Sequence, residues 1–171
     1  MTQIHLKTSI KGQIQEVFDL SRSIDFHIKS AYKTKEEAIA GTTTGLIGLN
    51  QEVRWRGKHL GLWLTHTSKI IAFESPRLFT DIMIAGNFTY FIHTHEFTQN
   101  DGEVIMTDRL RYKLPYGKLG SLVDRLVVKR HLKQFLEQRN RAIKLAIEGE
   151  NQQAYVQPII QNSENQSHLF I

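Results

Sequence analysis

The 171-residue sequence contains no cysteine. Disulfide frameworks, thiolate zinc sites, iron–sulfur clusters and cysteine nucleophiles are therefore excluded, because each needs the sulfur. Long apolar runs are missing too: Arg, Lys, Glu or Asp interrupts every hydrophobic segment well short of the roughly 18 consecutive apolar residues of a membrane-spanning helix. The opening heptad, Met1-Thr2-Gln3-Ile4-His5-Leu6-Lys7, has no basic start, apolar run or small-residue cleavage site. It reads as a strand and not as a secretory leader, which makes a cytoplasmic location the expectation. A nucleophile elbow, a phosphate-cradling glycine loop and an H-E-x-x-H helix are all lacking, so no motif names a reaction. What is present is ordinary for a folded domain: 40% hydrophobic and 23% charged residues, at about the length of one domain. Twenty-two Lys plus Arg against 17 Asp plus Glu leave a net charge of +5, a mild bias toward anionic partners.

After a first strand over Gln3 to Ile10, Ile14, Val17, Phe18 and Leu20 recur at helical spacing. Ser21-Arg22-Ser23 then offers a stop and a new cap before a second short helix carrying Ile24, Phe26 and Ile28. From Glu36 to Gln51, three glycines among threonines and aliphatics predict a strand and a pliable turn. Period two dominates from Glu52 onward. In Glu52 to His59, Val53, Trp55, Gly57 and His59 share one face, with Glu52, Arg54, Arg56 and Lys58 on the other. Strands are predicted over Leu62 to Glu74, Phe79 to Ala85, Phe88 to Thr98 and Val104 to Leu114, joined by turns that favour antiparallel pairing. Leu114-Pro115-Tyr116-Gly117 closes the last strand. A long helix follows to Ile147, with Leu119, Leu122, Leu126, Leu132, Phe135, Leu136, Ile143 and Ile147 as its apolar stripe and Lys129, Arg130, Lys133, Arg139 and Arg141 between them. Residues 1–149 are read as a single domain, and residues 150–171 as a polar, Asn/Gln-rich C-terminal extension.

This order predicts an α+β fold in which a curved antiparallel sheet of about seven strands wraps around a long C-terminal helix, with two short helices after the first strand and an internal cavity. The segments Ala38 to Gly48, Val53 to His59, Phe79 to Met83, Gly86 to Phe88, Phe91 to Phe97, Thr107-Asp108 and Tyr112 to Gly120 carry a further likeness. Spanning residues 38 to 120, they resemble the START-like, birch-pollen-allergen-like helix-grip superfamily (SRPBCC), in its bacterial polyketide-cyclase and ligand-binding branch. The resemblance implies a helix-grip fold but no single function, since that fold hosts carriers, receptors and cyclases.

Strand parity would assign the cavity face, and a slip of one residue reverses it. On Phe88 to Thr98, either Phe91, His93, His95 and Phe97 or Phe88, Tyr90, Ile92, Thr94 and Glu96 point inward. The cations Arg109, Arg111 and Lys113 belong in water on the neighbouring strand. The resemblance implies the inward set Trp55, His59, Asp81, Met83, Phe91, His93, His95, Phe97, Asp108 and Tyr112. Trp55, Met83, Phe91 and Phe97 would form walls, and His93, His95, Asp81, Asp108 and Tyr112 polar handles, as in a pocket for a largely hydrophobic ligand. The same polar groups can instead satisfy one another inside a filled core.

The leading expectation is binding of a hydrophobic or amphipathic small molecule (lipid, isoprenoid or polyketide-like) by a carrier or sensor. The alternative is a cyclase or dehydratase in which His93 or His95 acts as base with Asp81, Asp108 or Tyr112 as partner. Asp81 or Asp108 could complete a two-histidine, one-carboxylate metal set, but nothing in the sequence fixes that geometry. No metal and no cofactor are therefore expected. Transient contact with an anionic membrane surface through the helix cations is a lesser expectation. Nucleic acid is not expected as a partner, because the aromatics do not interleave with the cations. The chain is expected as a monomer or a homodimer.

Overall fold

The computed structural model describes residues 1–149. The extension read over residues 150–171 lies outside the described residues. Seven strands form one antiparallel sheet: β1 (Thr2–Lys11), β2 (Glu37–Gly41), β3 (Glu52–His59), β4 (Leu62–Glu74), β5 (Leu78–Ala85), β6 (Tyr90–Asn100) and β7 (Glu103–Lys113), in the order β1-β7-β6-β5-β4-β3-β2. Helices α1 (Ile14–Ser21) and α2 (Ile24–Ser30) follow β1. Ser23 caps α2 by accepting from the Phe26 amide at 3.2 Å, satisfying one of the helix's orphan donors. Gly117 opens the C-terminal helix, which runs as α3 (Gly117–Val123), a π-helical segment (Asp124–Val128) and α4 (Lys129–Glu148). Among the described residues, no helix is long and apolar enough to cross a membrane.

Alternation on the strands decides what is buried. On β3, Val53, Trp55 and Gly57 are buried while Arg54, Arg56 and Lys58 are exposed. On β7, Val104, Met106, Asp108, Leu110 and Tyr112 are buried and Arg109, Arg111 and Lys113 face water. The inner faces feed two apolar clusters. The larger centres on Phe18, whose ring meets Phe73, Phe79 and Phe97 edge-on at 5.4 to 5.6 Å between centroids. Burial of each such side chain contributes about 1.5–3 kcal/mol. The smaller joins Ile4, Leu110 and Tyr112 to Leu136 of α4, with Phe91 and Phe135 packed against it.

Three details differ from the sequence reading. The helix stripe does not continue into its first half: Leu119, Leu122 and Leu126 are 66%, 53% and 67% exposed. A π turn holds an extra residue, which rotates everything before it by about 100° relative to an unbroken α-helix. The π segment is fastened from below, since its buried Asp124 accepts hydrogen bonds from Tyr112 Oη at 2.6 Å and from Thr2 Oγ1. Arg139, read among the cations between the apolar positions of the helix, is buried and donates to the Ser21 carbonyl. Phe88 precedes β6 instead of starting it, and packs on Phe91 and Tyr112 on the inner side.

Candidate functional site

Between the concave face of the sheet and α4 lies a cavity of about 270 Å³, whose walls come from both apolar clusters. Ile47, Val53, Trp55, Phe79, Leu132 and Phe135 make much of its surface apolar. Six of the chain's eight histidines also line it: His27, His59, His66, His93, His95 and His131. They form two groups, each built on a buried carboxylate.

The first group is centred on Asp108. Asp81 pairs with His93 across β5 and β6, and His95 pairs with Asp108 across β6 and β7, so sheet register alone brings the four together on one face. His93 Nε2 hydrogen-bonds Asp108 Oδ1 at 3.0 Å. His95 Nδ1 is 2.9 Å from the same oxygen but outside hydrogen-bonding geometry. Its Nε2 faces Asp81 Oδ1 at 3.7 Å. The other Asp108 oxygen accepts from Asn140 Nδ2 of α4 at 2.6 Å. Burial alone would raise the Asp108 carboxyl, but the two imidazoles outweigh it and hold the group well below the usual carboxylate range. Asp81 is likewise lowered, its burial overcome by His95, His93 and Arg139. Burial, helped by neighbouring His95, lowers His93 against the pull of Asp108 and Asp81 and so favours the neutral ring.

The second group is centred on Glu36, which is 4% exposed. His27 Nε2 bonds one carboxylate oxygen, His59 Nε2 bonds the other at 2.9 Å, and His59 Nδ1 meets His131 Nε2 at 3.0 Å. His27 also lies against Trp55, ring centroids 4.3 Å apart. Gly57 makes the arrangement possible. A Cβ there would come within 2.8 Å of Glu36 Cγ and 3.1 Å of His59 Nε2. Burial raises Glu36, but the charge of His27 and the hydrogen bonds from both histidines prevail, leaving it far below its ordinary value. Burial lowers His66 and His131, each opposed by the negative charge of Glu36.

Of the residues proposed from sequence, Trp55, His59, Asp81, Met83, Phe91, His93 and His95 line the cavity. Phe97 sits behind it among Phe18 and Phe79. Asp108 stands behind the two histidines, and Tyr112 is engaged with Asp124, its hydroxyl pushed well up by burial and by that carboxylate. Sequence reasoning missed Glu36, His27, His66, His131 and Arg139. For two of them a signal existed: Val128, Leu132, Phe135 and Arg139 advance in steps of three and four, and His131 falls between Val128 and Phe135 at the same spacings, which puts His131 and Arg139 on the apolar side of the helix.

A seven-stranded antiparallel sheet gripping one long helix over an internal cavity defines the helix-grip class. No family model matches the sequence, and no curated protein matches it. Solved structures do. Ara h 8.0201 is 12% identical, with 85% of this chain and 97% of that chain covered at a TM-score of 0.66. A START superfamily protein from Mycobacterium smegmatis is 11% identical over 85% and 97%, at 0.62. Norcoclaurine synthase from Thalictrum flavum, solved in complex with dopamine and hydroxybenzaldehyde, is 11% identical over 83% and 86%, at 0.59. At these identities the likeness establishes architecture: the chain has the START-like helix-grip fold.

Proposed function

We propose that residues 1–149 form a single small-molecule-binding domain that takes a hydrophobic or amphipathic compound (lipid, isoprenoid or polyketide-like) into the cavity as a carrier or sensor. The observation that carries this reading is an internal cavity with apolar walls and polar groups gathered at a few points, the composition of a ligand pocket. Trp55, Phe91 and Met83 supply walls, and Asp81, His93 and His95 supply a polar end. At about 270 Å³ the cavity falls just below the usual span of ligand pockets, roughly 300–1,000 Å³, which favours a compact ring system over a long acyl chain. The experiment is native mass spectrometry with solvent extraction, followed by titration with anilinonaphthalene sulfonate. A co-purifying compound, or one probe molecule per chain displaced by enlarging Phe91 to Trp, supports the reading. An empty protein that binds no hydrophobic probe overturns it.

A second reading is an acid–base enzyme of the cyclase or dehydratase type, favoured by the His93–Asp108 hydrogen bond at the cavity wall. An imidazole held neutral by burial and oriented by a carboxylate is suited to take a proton beside a carbonyl. Asp108 would orient the base, while Tyr112 takes no part because its hydroxyl is committed to Asp124. That norcoclaurine synthase shares the fold supports the possibility of chemistry in such a cavity without naming a reaction. Replacing His93 by Gln separates the readings: lost turnover with retained binding of the extracted compound favours the enzyme.

A further inference from the structure

Asp81, His93 and His95 each offer a ligand atom, and these atoms all lie within 4.8 Å of one another, the one such group of three or more found among the described residues. Backbone geometry produces it. Asp81 and His93 are register partners on adjacent strands, and His95 follows two residues along the same face. We propose that this triad is a binding site for a divalent first-row transition ion, zinc(II) or iron(II), whose remaining coordination positions face the cavity. Two histidines and one carboxylate with open positions are a ligand set used by both metals. The sequence reading set a metal aside because nothing fixed the geometry, and the fold now supplies it.

Two observations beyond the cluster support the assignment. The first is Asp108, which is fully buried and lies 3.0 Å from His93 Nε2 and 2.9 Å from His95 Nδ1. One carboxylate thus addresses one nitrogen of each ring, and the other nitrogen of His95, Nε2, faces Asp81 Oδ1 at 3.7 Å. Carboxylates placed behind ligating histidines in this way fix ring orientation and strengthen the ligand. Asp108 is itself held by Asn140. His95 Nδ1, on a residue only 2% exposed, has no aligned partner, and alignment on Asp108 is what coordination at Nε2 would impose. The second is charge. Two carboxylates, the half-buried Asp81 and the fully buried Asp108, stand on this side of the cavity with one buried guanidinium, Arg139. A buried negative charge needs a partner, and a cation provides it. The Glu36 group is different: both its oxygens and both nitrogens of His59 are already engaged with one another.

The test uses the full, untagged chain stripped with chelator, without any organic ligand. It is dialysed against zinc chloride or, anaerobically, against ferrous ammonium sulfate, and bound metal is counted by mass spectrometry. One ion per chain is expected, with affinity reduced at least about tenfold in Asp81→Asn and His95→Gln, about 10–100-fold in Asp108→Asn, and unchanged in Glu36→Gln. Absence of stoichiometric metal, retention in Asp81→Asn and His95→Gln, or loss with Glu36→Gln overturns the proposal. Should those variants fail to fold, histidine nitrogen NMR of the wild-type chain decides: zinc must shift His93 and His95 and leave His27 and His59 in place. Repeating the anilinonaphthalene sulfonate titration in chelator keeps failure of the metal site distinct from failure of the cavity.

Discussion

The cavity holds two groups made from the same residue types, and they differ in what is left over. Around Glu36, carboxylate oxygens and imidazole nitrogens answer one another in a chain from His27 through Glu36 and His59 to His131. Around Asp108, one carboxylate bonds His93 and Asn140, while His95 Nδ1, an Arg139 nitrogen and Asn140 Oδ1 keep unmet capacity. A closed network fixes a wall, whereas an open one can receive something. Composition alone could not separate them, and the difference lies in register and in which side each element approaches from.

The sharpest way to break this comparison is Asp108→Ala, which strips the acceptor from His93 and Asn140 in a fully buried place. A loss of about 3–5 kcal/mol is expected in urea unfolding, because it leaves buried donors without a partner. A loss below about 1 kcal/mol would show that the deeper group is not a connected unit. Glu36→Gln keeps shape and one acceptor oxygen, so a smaller cost, about 1–3 kcal/mol, is expected. Gly57→Ala attacks the same group by volume and should cost about 1–3 kcal/mol through overpacking, with His59 and His131 resonances displaced.

Acid probes the Glu36 group without mutation. His66 and His131 have folded values below their ordinary one, so beneath about pH 6.5 the unfolded chain binds more protons and stability falls with pH. Glu36, depressed in the fold, adds stability above roughly pH 4.3 that is lost as pH drops further. Thermal melts across these ranges should show two successive declines, and Glu36→Gln should make the second shallower, leaving the part that Asp81 and Asp108 contribute. The smallest effect is expected from Leu126→Ser on the exposed half of the helix, within about 0.5 kcal/mol. Leu136→Ala, one face further along, should cost about 2–5 kcal/mol.

The fold was legible because strand alternation is local. Arg54, Arg56 and Lys58 announce the wet face of β3, and Arg109, Arg111 and Lys113 that of β7, so the inner faces follow by parity. The architecture expected from those strands and the long helix is the one observed. The helix's first half was misread because a π turn between Asp124 and Val128 has no sequence period of its own. Glu36 was invisible for another reason. It lies in an irregular connection before β2, and its burial is decided by a missing side chain on the neighbouring strand β3, at Gly57, which only the pairing of β2 with β3 brings beside it. Arg139 hid among surface cations because charged residues are outside by default.

The contact between His27 and Trp55 gives the protein an optical consequence. The chain has two tryptophans. Trp55 is buried at the cavity against an imidazole, while Trp63 is 54% exposed on β4 with the Arg56 guanidinium 5.6 Å above its ring. Emission should therefore split into a blue component shielded from iodide and a red component open to it. Only the blue one looks into the cavity, so its intensity records, without any added dye, when something enters.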